Sequence, residues 1–196
     1  MIVVDVEASG TNYEKHSIVS LGALDFSNPS RQFYRECRVW EGAHAMEEAM
    51  AVNGFTLDEI HDLTKPTESD IVREFIEWTE ASEDRTFAGQ NVSFDRDFLK
   101  AAAHRAGHTD WPFAYRTIDT HTLAWMHMVQ RGLVPPIAHH RSALDLDAIL
   151  VYCGIPEEPT PHNALTGAKS HAEVIARLLY TKRLLPDFAE FTIPWL

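Results

Sequence analysis

The amino-acid sequence predicts an α/β fold: a mixed five-stranded sheet, three antiparallel strands and then parallel ones, flanked by helices. Three observations carry this expectation. Strand-like runs rich in β-branched residues crowd roughly the first forty positions. From about residue 66 the apolar period changes from that of a strand to that of a helix. Two more short strand-like runs then alternate with helical segments, which places helices on the faces of one sheet.

Residues 2–6 (IVVDV) open the chain as a short strand. Residues 17–26 form a second, and residues 32–39 alternate apolar with charged side chains, as a half-exposed strand does. Asn28, Pro29 and Ser30 supply turn chemistry between the last two, so a meander is the simplest arrangement. Residues 67–70 (TESD) resemble a capping box, and Ile71, Val72, Phe75, Ile76 and Thr79 follow at helical spacing. Residues 85–89 read as a fourth strand. Ser93 is a candidate cap for a helix through Phe94, Phe98, Leu99 and Ala102, and Gly107 ends it. Residues 116–118 make the fifth strand, with a helix starting near Thr120. After a loop at 133–136, Ser142 and Asp145 are candidate caps for a helix that stops at Gly154. A loop at 156–161 leads into a last helix from about Asn163 to Arg183. Its expected buried stripe is Ala164, Ala168, Ala172, Ile175 and Leu179. No internal repeat or linker interrupts the chain, so a single domain over residues 1–196 is the expectation.

Composition narrows the function. The chain has 196 residues, 29 acidic and 17 basic, for a formal net charge of −12. That balance excludes a protein that coats nucleic acid by being basic overall. The 45 % hydrophobic and 23 % charged fractions exclude wholesale disorder. No apolar run approaches the roughly 18 residues of a membrane span, so no membrane partner is expected. The first residues lack the basic start of a secretory signal. Cys37 and Cys153 stand far apart with no CxxC partner, which suits a reducing cytoplasm. The histidines are scattered without an HExxH pattern, which argues against a dedicated zinc site. A negative surface suits a cationic ligand or a site that carries its own metal ions.

Three features carry candidate chemistry. Asp5 and Glu7 stand two apart in a strand, so their side chains project from one face. Two carboxylates that close repel, and a bound divalent cation is the natural compensation; a strand running out into a solvated acidic turn is the plainer alternative. Asp95 falls in the first turn of a helix, where the macrodipole favours an acid for stability alone. His162 opens the last helix; as a general base it would have to be mobile and partly exposed.

Taken together, these features resemble the DEDDh family of 3′→5′ exonucleases. Residues 3–10 (VVDVEASG) are similar to its first motif, and residues 91–99 (NVSFDRDFL) to its second. Residues 162–168 (HNALTGA) are similar to its third, while residues 49–56 and 118–124 resemble connecting segments. The resemblance spans nearly the whole chain, and its strength lies in the ordered set. It implies a ribonuclease H-like fold with the acids at the sheet centre. It implies two divalent cations, Mg²⁺ or Mn²⁺, with Asp5 bridging them, Glu7 on the ion that activates water and Asp95 on the second. His162 would take the proton from the attacking water. Phe94, Asn91 and the Ala8–Ser9 backbone would meet the terminal nucleotide of a single-stranded RNA or DNA 3′ end. Nucleoside 5′-monophosphates would be released. Several relatives dimerise, so a homodimer is a further implication. Arg96, Arg105, His139, His140 and Arg141 are candidate phosphate contacts.

One position departs from the pattern. The third motif of the family carries an aspartate five residues after its histidine, and here that position is Gly167. Glycine inside a helix costs about 0.5–1 kcal/mol relative to alanine, so it is an odd choice for stability. Asp145 and Asp147 belong to the preceding helix and Glu173 lies almost two turns beyond; His171, one turn after Gly167 on a similar face, could approach the gap, but an exposed helix residue is the expectation. Three accounts stay open: water in the missing ligand's place with weakened activity, a variant of low activity, or a catalytically silent interaction domain that binds nucleic-acid ends or a polymerase.

Overall fold

The computed structural model describes residues 1–196. Five strands, β1 (Ile2–Ala8), β2 (Ile18–Asp25), β3 (Asn28–Glu36), β4 (Phe87–Gly89) and β5 (Thr117–Asp119), form one sheet in the order β3-β2-β1-β4-β5. β1 pairs antiparallel with β2, and β2 with β3; β1 pairs parallel with β4, and β4 with β5. The mixed sheet is the one the sequence predicts. Seven helices surround it: α1 (Glu47–Asn53), α2 (Leu57–Ile60), α3 (Glu68–Thr79), α4 (Ser93–Arg105), α5 (Thr120–Gln130), α6 (Leu146–Tyr152) and α7 (Ala164–Tyr180). A small hairpin, β6 (Ile137–Ala138) and β7 (Arg141–Ser142), stands apart from the main sheet. No helix is long and apolar enough to cross a membrane.

β1 is the central strand, and its alternation explains the layers. Ile2, Val4, Val6 and Ala8 pack in a core with Ile71, Phe75, Phe98 and Leu99 from α3 and α4. Val3 points to the other face, into a core with Ala172 and Ile175 of α7. Asp5 and Glu7 continue that second face beyond the apolar part of the strand. α7 lies close on the sheet there because two glycines make room. A β-carbon on Gly22, which pairs with Asp5, would collide with the α7 backbone at Ala164, and one on Gly167 would collide with Asp5 itself.

Several local expectations need correction. The β2–β3 turn is at Phe26 and Ser27, not at residues 28–30, which already belong to β3. Asp25 sets it: its Oδ1 accepts the Ser27 N–H at 2.9 Å. Ser93 is the first residue of α4 and caps nothing; Val92 holds the cap position without a side-chain bond. Asp145 caps α6 by accepting the Ala148 N–H, whereas Ser142 lies in β7. In α7 the stripe drifts round, so Leu178 is buried and Leu179 is 41 % exposed. The capping box at Thr67 and Asp70 is present as read. The sequence reading did not find α1, α2 or the β6–β7 hairpin.

The apolar C-terminal tail closes over the core. Fully buried Arg177 pairs with Glu173 at 2.8 Å and donates to the carbonyls of Cys153, Phe188, Phe191 and Thr192. Glu173 in turn accepts the Leu184 and Leu185 amides, so this pair ties the end of the chain to α7 and α6.

Candidate active site

Asp5 and Glu7 line one cleft of about 310 Å³ at the open end of β1. Gln90 enters it from the end of β4, and Asp145 and Asp147 from the start of α6. Glu158 and His162 come from the loop before α7, and His171 from within that helix. No lysine or arginine lines it. Asp95 joins the group from the first turn of α4, where its Oδ1 accepts the Val6 N–H at 2.8 Å. That bond fixes the start of α4 to β1 and puts a third carboxylate next to Asp5. His162 is held just outside the α7 cap: its N–H donates to Val52 O at 3.0 Å, and Asn163 Oδ1 accepts the Leu165 and Thr166 amides. The four residues Asp5, Glu7, Asp95 and His162 are thus gathered at one place.

The electrostatics follow from burial and crowding. Burial raises the Asp5 carboxyl well above its usual range, and the charges of Asp95, Glu7 and Glu158 push the same way. Burial likewise lifts Asp95 to about 7, against the opposing hydrogen bonds from the Val6 and Asp95 amides. Glu7 is raised by burial and by Glu158, while the nearby His162 pulls it down. Negative charge concentrated this way calls for a cation. Carboxylate oxygens with imidazole nearby are the donor set of Mg²⁺ or Mn²⁺ rather than of a soft metal, so the residues fit such an ion chemically. As they stand, no three of these side chains are drawn together tightly enough to enclose one.

The nucleotide-contact expectations divide. Ala8 and Phe94 line a second groove that shares Val6 and Glu7 with the first, and Phe94 packs on Phe98 with ring centroids 4.7 Å apart. Ser9 does not reach it. Its side chain is buried, donating to His44 O and accepting the Ser17 N–H, and its backbone pairs with Ser17 and Met46. Asn91 lines neither groove; it is exposed, holds φ of 49°, and its carbonyl accepts the Phe94 N–H. Of the candidate phosphate contacts, Arg105 is committed to Glu68 and Arg96 to Asp97 and Tyr115 O. His139, His140 and Arg141 are exposed in the β6–β7 hairpin.

Sequence reasoning missed five polar members of the cleft, among them Asp145, read only as the α6 cap. Glu158 sits four residues before His162, inside a loop read only as a loop; an acid so close to a motif histidine was the available signal. Asp147 reads as a helix-start acid, but its Oδ1 accepts the Glu158 N–H at 3.1 Å. Gln90 is adjacent to the second motif and is held by Thr120 and by Leu144 O. His171 is 2 % exposed, not an exposed helix residue as expected.

Comparison with known proteins agrees with this arrangement. Residues 2–175 match the RNase T-type family described as Exonuclease. The chain is 30 % identical over 179 residues to the 3′-5′ DNA exonuclease Cap18 of Escherichia coli, covering 88 % of each. It is 26 % identical over 151 residues to Ribonuclease T of Klebsiella pneumoniae, covering 67 % of each. The nuclease domain of 3′hExo, a DEDDh family member solved with rAMP, superposes with a TM-score of 0.70 at 20 % identity, over 94 % of this chain and 93 % of that one. A zinc-bound complex of E. coli exonuclease I with single-stranded DNA gives a TM-score of 0.71 at 16 % identity. That alignment takes in 92 % of this chain but only 40 % of exonuclease I. With acids on β1 and α4, a histidine before α7 and this family match along most of its length, the chain belongs to the RNase T-type exonuclease family as a 3′→5′ exonuclease.

Proposed function

We propose that the protein uses Mg²⁺ or Mn²⁺ to remove nucleotides from the 3′ end of single-stranded nucleic acid or short oligonucleotides, releasing nucleoside 5′-monophosphates. The observation that carries this reading is the pair Asp5 and Glu7. They project side by side from the central strand into a cleft that no lysine or arginine lines. Asp5, Glu7 and Asp95 are the residues that would hold the cations. Bound divalent ions supply Lewis-acid stabilisation of the reacting phosphate and make water a better nucleophile at neutral pH.

The chain's own residues do the rest. His162 lines the cleft with Glu7 and Glu158 and is partly exposed. It is therefore placed to accept a proton from water and pass it to solvent. The groove of Ala8 and Phe94 offers an apolar seat for a terminal base, and an aromatic face tolerates any base. The net charge of −12 disfavours tight, non-specific binding along duplexes and suits a grip on a free end. Support also comes from the relatives, one named for DNA and one for RNA, and from exonuclease I in complex with single-stranded DNA.

The test is a 5′-labelled oligonucleotide, as DNA and as RNA, incubated with Mn²⁺ or Mg²⁺. The labelled strand should shorten from its 3′ end, and 5′-monophosphates should accumulate. A 3′-phosphate should block the reaction, as should chelation of the metal. Internal cuts or nucleoside 3′-monophosphates would contradict the reading.

A further inference from the structure

We propose that Glu158 is a fourth carboxylate of the cation site, supplied by the loop before α7 in place of an acid on that helix. The inference rests on the reading of the cleft as a metal-dependent nuclease site. Three observations lead to it.

First, Glu158 lines the same cleft as Asp5, Glu7 and His162, and its charge acts on both carboxylates. Second, it is held in place. Asp147 Oδ1 accepts its backbone N–H, and the Ser170 hydroxyl, one turn after Gly167 on α7, lies near its side chain. Third, it has no salt-bridge partner: no lysine or arginine pairs with it or lines the cleft. A half-buried carboxylate placed beside two others, with only the His162 imidazole to oppose it, is costly unless a cation compensates it.

Gly167 completes the argument. The space an α7 side chain would take at that position is filled by the Asp5 carboxylate. With Asp5 in this orientation an acid from α7 would collide with its carboxylate, whereas Glu158 already lines the cleft from the loop. Asp147 then acts as a positioning residue, because it holds the Glu158 backbone rather than facing the reacting atoms.

The experiment compares the full chain with Glu158→Gln, Asp5→Asn and Glu157→Gln. Mn²⁺ binding is measured by calorimetry and by the paramagnetic signal of free Mn²⁺, and the Mn²⁺-induced rise in Tm is read in parallel. Glu157 is exposed, so Glu157→Gln makes the same change of net charge outside the cleft. Glu158→Gln should weaken Mn²⁺ binding about tenfold or more and shrink the Tm rise, with Glu157→Gln like the parent. The metal-free Tm of each variant shows whether it is folded, and Glu158→Asp should recover part of the affinity. Parent-like binding by Glu158→Gln, with Asp5→Asn impaired, overturns the role of Glu158 alone. No Mn²⁺ binding by the parent overturns the metal site as well.

Discussion

The Asp5 carboxylate lies directly over Gly167: a β-carbon built on that glycine would stand 2.9 Å from Asp5 Cγ and closer still to its Oδ2. The glycine at this family position is therefore not an empty socket. It is the surface against which the central carboxylate of the cleft is seated.

Gly167→Ala tests this contact. Alanine in mid-helix normally adds about 0.5–1 kcal/mol of stability over glycine. Here it must push a cleft carboxylate aside, so that gain should be absent and nuclease turnover should fall steeply. Gly167→Asp should fail to raise activity for the same steric reason. Urea unfolding and exonuclease rate on the same preparations check both, and a more stable, fully active Gly167→Ala would refute the contact.

His171 gives a pH signature. Burial lowers its pKa to about 4 from an ordinary value of 6.5. The unfolded chain therefore binds more protons than the folded one between those values, and stability falls as pH drops through that window. The raised carboxyls of Asp5 and Asp95 work in the opposite direction, but they are common to a variant that changes only residue 171. Relative to the parent, His171→Asn should be more stable at pH 5 than at pH 7.5. Urea midpoints at the two pH values read the difference; equal offsets would show that His171 is not held neutral.

Arg177 anchors the tail. Arg177→Met leaves Glu173 charged and buried without its partner and takes a donor from four carbonyls, of which Phe191 O keeps Arg183. A loss of about 3–5 kcal/mol is expected. The cleft is built from other residues, so turnover per folded molecule at low temperature should be little changed.

How much of this was legible in the sequence depends on how local the cause is. β1, the order of strands and helices, and the pair Asp5 and Glu7 follow from alternation along one strand. The capping box at Thr67 is equally local. The β2–β3 turn was misplaced because Asp25 wins the turn with its own side chain, four residues ahead of the proline. Leu179 was misassigned because only packing reveals how far the buried face drifts over the length of α7. Glu158, Asp147 and His171 were missed because their meeting depends on how a loop, α6 and α7 close over β1. Ser9 looked like a substrate contact because the sequence does not show that Ser17 and His44 already use it.

Phe94 separates binding from chemistry. Phe94→Ala removes the aromatic wall of the second groove without touching the carboxylates. It should raise KM for single-stranded substrate by the equivalent of about 1–3 kcal/mol of stacking, with a smaller effect on kcat. A fall in kcat alone would place Phe94 outside nucleotide binding.

The most direct test of the account is the rate of nucleotide release from the 3′ end of a single-stranded oligonucleotide in Mn²⁺, for the parent and Asp5→Asn side by side. The account predicts metal-dependent release by the parent and a loss of at least about a hundredfold in the variant, as expected when a central charge of a preorganised site is removed. Release by Asp5→Asn at the parent rate would contradict it.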